Sequence, residues 1–262
     1  MTDRRRRQKE QRAAKKKAEK KHEARRELTR RLVIALGFGV VVVTLFSLGT
    51  FLGGGEDKLP SGYEGFRNQD TACGAQAPAP EPVVTFEEPV LQDDITADSV
   101  VTATIETSCG PLVIELDPAI SPQTVNSFVF LARQGFYDGQ VFYRIFDGFK
   151  VEAGDPTADG TGGPGYRVPD EFPPSDFEYV KDVVAMANQG KRTTGSQFFI
   201  VLSDDAAALN PVFNVLGRLT SGHDTLDRMV QVPVARRPGT REDSLPLETV
   251  YIESVTIDVA GS

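Results

Sequence analysis

The chain has 262 residues with 40% apolar side chains, enough for one good-sized domain with a sizeable core plus appendages. Its net charge of -8 hides an asymmetry: residues 1–31 carry 15 Lys/Arg against 5 Asp/Glu, a surplus of +10, so the remainder sums to -18 and is a poor partner for nucleic acid phosphates or anionic lipid. Two cysteines, Cys73 and Cys109, and two histidines, His22 and His223, lie too far apart to assemble an ordinary metal site, and no cofactor is expected.

After the basic segment 1–31 comes an uncharged run over 32–52, whose 21 residues at about 1.5 Å each span the hydrocarbon core of a bilayer. It reads as one transmembrane helix; the alternative is a secretory signal peptide, whose apolar run is shorter, about 7 to 15 residues. The preceding positive charge places the N-terminus in the cytoplasm and the acidic bulk outside, as a single-pass cell-membrane protein. That basic run acts most simply as topogenic charge, the other roles being contact with lipid headgroups or nucleic acid. Residues 53–98, with a triple glycine and Pro78, Pro80, Pro82 and Pro89, show no sustained apolar period and read as an extracytoplasmic linker. Beyond the membrane Cys73 and Cys109 would meet an oxidising medium and form a disulfide; two free thiols are the alternative.

The domain 99–262 opens with alternating β-branched residues over 100–107 and a second run over 111–116, a hairpin pattern. Ser121-Pro122 supplies an N-cap and a first-turn proline, and Val125, Phe128, Leu131 and Ala132 repeat at helical spacing up to Gly135. Short strands follow around 141–145, 183–187, 197–202 and 213–219, then a second helix over 221–231. In the closing strand the apolar set changes phase between Val250/Ile252 and Val255/Ile257, which predicts a bulge. Many short strands with two helices predict a mainly β, closed barrel.

Three segments, Thr124 to Phe172, Val184 to Ser203 and Phe213 to Met229, carry the F-x-R-x-x-x-G-F run of Phe142–Phe149, the GDPT of Gly154–Thr157 with its glycine-rich turn, and Met186-Ala187-Asn188 followed by Gly195–Phe199. In order and spacing they resemble the cyclophilin-type peptidyl-prolyl cis-trans isomerases, over essentially Val100 to Val259. The resemblance implies a closed eight-stranded antiparallel β-barrel capped by two α-helices. It also implies catalysed rotation about X-Pro bonds of proline-containing polypeptides by a monomeric enzyme without cofactor or nucleic acid.

The resemblance makes Arg144 the catalytic arginine, a planar, permanently charged fork able to donate to the prolyl nitrogen or the adjacent carbonyl oxygen. Phe149 and Phe199 become floor and wall of the proline pocket, with Leu209 and Phe213 beside them; ordinary barrel core is their other reading. Gln197 is expected to hydrogen-bond the substrate backbone. The Ala187-Asn188 backbone is expected to pair with the residue before the proline, Asn188 being otherwise a turn residue. Four positions depart from the family pattern: Tyr143 replaces a histidine, Lys150 a pocket methionine, Glu152 the glutamine that orients the arginine, and Phe213 a histidine or tyrosine. A carboxylate at 152 would either fix the guanidinium or neutralise it, and in the second case the domain would be a proline-binding scaffold.

Overall fold

The computed structural model describes residues 59–80 and 82–260, so the basic segment 1–31 and the apolar run 32–52 lie outside the described residues. Among the described residues no helix is long and apolar enough to cross a membrane. β1 (Val100–Thr107) returns as β2 (Gly110–Leu116) through Ser108-Cys109, a tight connection that Gly110 permits with a φ of 116°. The period of two turns Val101, Ala103 and Ile105 of β1, and Leu112, Ile114 and Leu116 of β2, into one shared core.

β3 (Arg144–Phe146), β4 (Lys150–Ala153), β5 (Val183–Met186), β6 (Phe198–Val201), β7 (Val215–Ser221) and β10 (Ile252–Ala260) complete an antiparallel sheet in the order β10-β1-β2-β7-β5-β6-β4-β3. β8 (Val234–Arg236) and β9 (Asp243–Pro246) form a separate two-stranded hairpin. β10 skips a residue at Glu253, where Glu106 faces Ser254 but Thr107 faces Ile252, so the predicted change of apolar phase is a bulge.

The expected closed barrel is not formed. The eight strands curl into a half-barrel with β10 and β3 as its edge strands, and the strip between them is spanned by an isolated bridge, Val141 to Tyr251, flanked by backbone bonds from Gly139 to Ile252, Ile252 to Gln140 and Phe142 to Val250. β3 is three residues long, too short to carry a ladder to β10. The seam is instead covered by α1 (Gly62–Arg67), whose Phe66 packs with Val141, Tyr143, Leu245 and Tyr251.

The interior holds α2 (Pro122–Arg133) through Val125, Phe128, Val129 and Leu131, and α3 (His223–Met229) through Leu226 and Met229. Ser121 precedes α2 as expected but makes no side-chain cap. Glu171, from a distant loop, accepts from the backbone N–H of Gln123 and Thr124, placing a carboxylate where helix amides point outward. The helix stops as predicted at Gly135, whose φ of 66° lets Gly135 and Phe136 donate back to Ala132 and Leu131.

The stretch expected as a linker is docked from Leu59 onward, one compact unit with the barrel. Proline-rich composition hid single anchors spaced too irregularly for any periodicity: Phe66 and Ala72 are buried, Phe86 stacks edge-on against Phe130 at 5.0 Å, and Ala72 donates to the carbonyl of Thr249. Cys73 and Cys109 are joined by a disulfide, with Cα atoms 5.2 Å apart, tying this strap to the β1–β2 turn.

Candidate active site

Arg144 of β3 faces Glu152 of β4, Glu152 faces Phe199 of β6, and Phe199 faces Ala185 of β5. Direct cross-strand neighbours share a face, so these residues form one row across the outside of the curled sheet. Phe198, one residue along, points into the barrel core with Val151 and Ile145. Phe199 belongs instead to a second apolar cluster on the outer face, with Tyr179, Val201 and Val215 at its centre and Phe149, Ala187, Leu209 and Phe213 packed around it.

The predicted pocket residues Phe149, Phe199, Leu209 and Phe213 are therefore assembled in one apolar cluster, on the face opposite the one that holds Phe198. The Phe213 ring meets Phe199 edge-on at 5.4 Å, and Phe149 sits in the β3–β4 turn, against Phe146 at 5.4 Å. Tyr179 braces the wall from behind, donating through its hydroxyl to the carbonyl of Phe213; burial pushes that phenol up to about 12, eased by the backbone bond.

Gln197 and Asn188 are engaged locally. Gln197 accepts from the Tyr143 hydroxyl at 3.0 Å and donates to the carbonyl of Gly162 at 2.8 Å. Asn188 donates its amide to Val212 and accepts from the N–H of Gly190, the behaviour of a turn residue. The N–H of Ala187 donates to the carbonyl of Gln197.

The charges form a chain. Lys150 Nζ lies 2.5 Å from Glu152 Oε1, Glu152 Oε2 accepts from Arg144 Nη1 at 2.9 Å, and Arg144 Nη2 donates to Glu242 Oε2 at 2.5 Å. Burial pulls the Arg144 guanidinium down, but Glu152 and Glu242 outweigh it and hold it above its ordinary value. Burial pushes the Glu152 carboxyl up, and Lys150 and Arg144 reverse this, leaving it below its ordinary 4.5. Tyr143 is held well above its ordinary value, first by burial and then by the nearby charge of Glu152.

Glu242 is the member that sequence reasoning missed. It sits in the turn of the β8–β9 hairpin, outside the three segments carrying the family pattern, in a charged loop that reads as solvated surface. The one available signal was the Pro238-Gly239 pair between two short strand-like runs, which marks a hairpin but not where its tip lands.

The family model for the cyclophilin type peptidyl-prolyl cis-trans isomerase matches residues 102–257. Peptidyl-prolyl cis-trans isomerase B of Streptomyces anulatus is 37% identical over 171 residues, covering 60% of this chain and 95% of that protein. Probable peptidyl-prolyl cis-trans isomerase A of Mycobacterium leprae is 38% identical, over 60% of this chain and 91% of its own length. Among solved structures, the Cryptosporidium parvum cyclophilin-type isomerase in the presence of the dipeptide Ala-Pro superposes with a TM-score of 0.54 at 29% identity, over 60% of this chain and 98% of that one. By sequence and by fold, the chain belongs to the cyclophilin-type peptidyl-prolyl cis-trans isomerase family, an enzyme of the isomerase class.

Proposed function

We propose that this chain is a membrane-anchored, extracytoplasmic prolyl isomerase that lowers the barrier to X-Pro rotation in polypeptides folding after export. The observation that carries the catalytic part is the placement of the Arg144 guanidinium on the outer face, one strand pairing from Glu152 and two from the Phe199 wall. Rotation about the amide meets a barrier of about 18 to 20 kcal/mol because conjugation must be broken. A fixed guanidinium beside an apolar ring socket stabilises the twisted amide by donating to the prolyl nitrogen or its carbonyl oxygen, with no nucleophile needed. Asn188 would pair its backbone with the residue before the proline, since the N–H of Ala187 is already bonded to Gln197. An Ala-Pro unit, the dipeptide present with the Cryptosporidium relative, is the minimal substrate.

The anchor and its orientation rest on the uncharged run 32–52 behind the basic segment 1–31, and the Cys73–Cys109 disulfide fits an oxidising compartment. A second reading, a proline-binding scaffold, is favoured by one observation: Glu152 pairs with both Lys150 and Arg144, where the family pattern has uncharged side chains at 150 and 152. The two readings separate by adding the full chain, in mild detergent, to an Ala-Pro-containing peptide and measuring cis-trans exchange by NMR. Acceleration supports the isomerase; saturable binding at an unchanged exchange rate contradicts it.

A further inference from the structure

The outer face of the sheet is shut upon itself. Lys150 folds back so that its ammonium stands 4.6 Å from the centroid of Phe199 and 5.5 Å from that of Phe149, over the surface a stacked proline ring would use. Phe199 keeps no exposed surface. Arg144 is held at both ends, Nη1 by Glu152 and Nη2 by Glu242, while its Nε is buried without a hydrogen-bond partner. A buried, unpartnered N–H on the catalytic side chain marks a place where an acceptor belongs, yet a substrate carbonyl reaches it only if a neighbour moves.

Resting on the isomerase reading above, we infer that Glu242 is the resident competitor of the substrate for Arg144. Its carboxylate holds the arginine until a proline peptide displaces it. Of the two carboxylates on Arg144, Glu242 is the one free to leave. Glu152 is 5% exposed, lies in the interior of the sheet between Arg144 and Phe199, and also carries Lys150. The Glu242 side chain is 33% exposed and stands in the turn of a hairpin outside the eight-stranded sheet, where its N–H and carbonyl bond only within the turn, to Thr240 and Arg237. Swinging it out breaks one charge-assisted bond and no ladder. Lys150, paired with Glu152, lies over the ring site in the same resting state.

A competitor within the chain makes binding-competent molecules a minority, which raises KM and leaves the bound complex unchanged. The test is steady-state isomerisation of an Ala-Pro peptide by the full chain in mild detergent, with Glu242→Gln and Glu242→Ala beside the wild type. Both variants should lower KM by about fivefold to tenfold with kcat within about twofold, Ala by more than Gln. Added salt should lower the KM of the wild type but not that of Glu242→Ala, because only the former has an ion pair to screen. A wild type that is active, with KM unchanged or raised in both variants, overturns the competitor and leaves the isomerase reading standing. A wild type and variants that all leave the peptide at its uncatalysed rate overturn the isomerase reading, and this inference with it.

Discussion

Phe198 and Phe199 are chain neighbours, and neither keeps any exposed surface, yet they serve different parts of the molecule. Phe198 packs inward among the rings of Phe128, Tyr137 and Phe142, within the apolar core cluster. Phe199 faces outward, with Phe213 edge-on, a lysine over its ring and a carboxylate on the neighbouring strand. One residue of chain separates a face that only has to exclude water from a face that has to hold charges in place against it. A strand tolerates both because its side chains alternate.

Truncation on the two faces should therefore separate stability from catalysis. The largest expected effect is that of Phe198→Ala, which leaves a cavity among three packed rings and costs about 4 kcal/mol in denaturant unfolding, with isomerisation per folded molecule preserved. Phe199→Ala should instead lose turnover per folded molecule, as it removes the proposed wall of the proline pocket. Equal losses of turnover in the two variants would mean the faces are not functionally distinct.

The strap on the outside of the barrel tests whether stability can be lost with neither face disturbed. Cys73→Ser frees a loop closed across a sequence separation of 36 and should cost about 3 kcal/mol, because Phe66 and Phe86 still hold the strap in place. Thermal unfolding with and without reductant checks it. Wild type under reductant should match the variant, while the variant should not respond.

These differences also explain what was legible in the sequence. The inner face was readable because it follows a period: Val101, Ala103 and Ile105, or Val125, Phe128 and Leu131, announce strand and helix without knowledge of their partners. The outer row was readable only through the family pattern around Arg144, Phe149 and Phe199, since Arg144 alone is an ordinary strand arginine. Neither route reached Glu242 or Phe66, each of which acts through contacts made far along the chain: Glu242 with Arg144, Phe66 with Tyr251 and Val141. The open seam escaped for the same reason, because the shortness of β3 is a matter of pairing and not of composition.

A smaller effect concerns acid. The Glu152 carboxyl lies below 4.5 in the folded chain and at about its ordinary value when unfolded. The unfolded chain thus takes up the proton first, so the contribution of Glu152 to stability is complete above pH 4.5 and is lost as pH falls through the lower folded value. Melting temperatures from about pH 6 to about pH 3 should fall more steeply for wild type than for Glu152→Gln. Parallel slopes would show that the outer-face charges do not hold Glu152 ionised.

The central claim, that catalysis resides in one guanidinium on the outer face, is met most directly by Arg144→Ala in the full chain, assayed by NMR exchange on an Ala-Pro peptide. Removing a preorganised donor to the twisted amide should lower kcat/KM per folded molecule by about a hundredfold to a thousandfold. An Arg144→Ala variant that remains folded and isomerises the peptide at the wild-type rate would contradict the account.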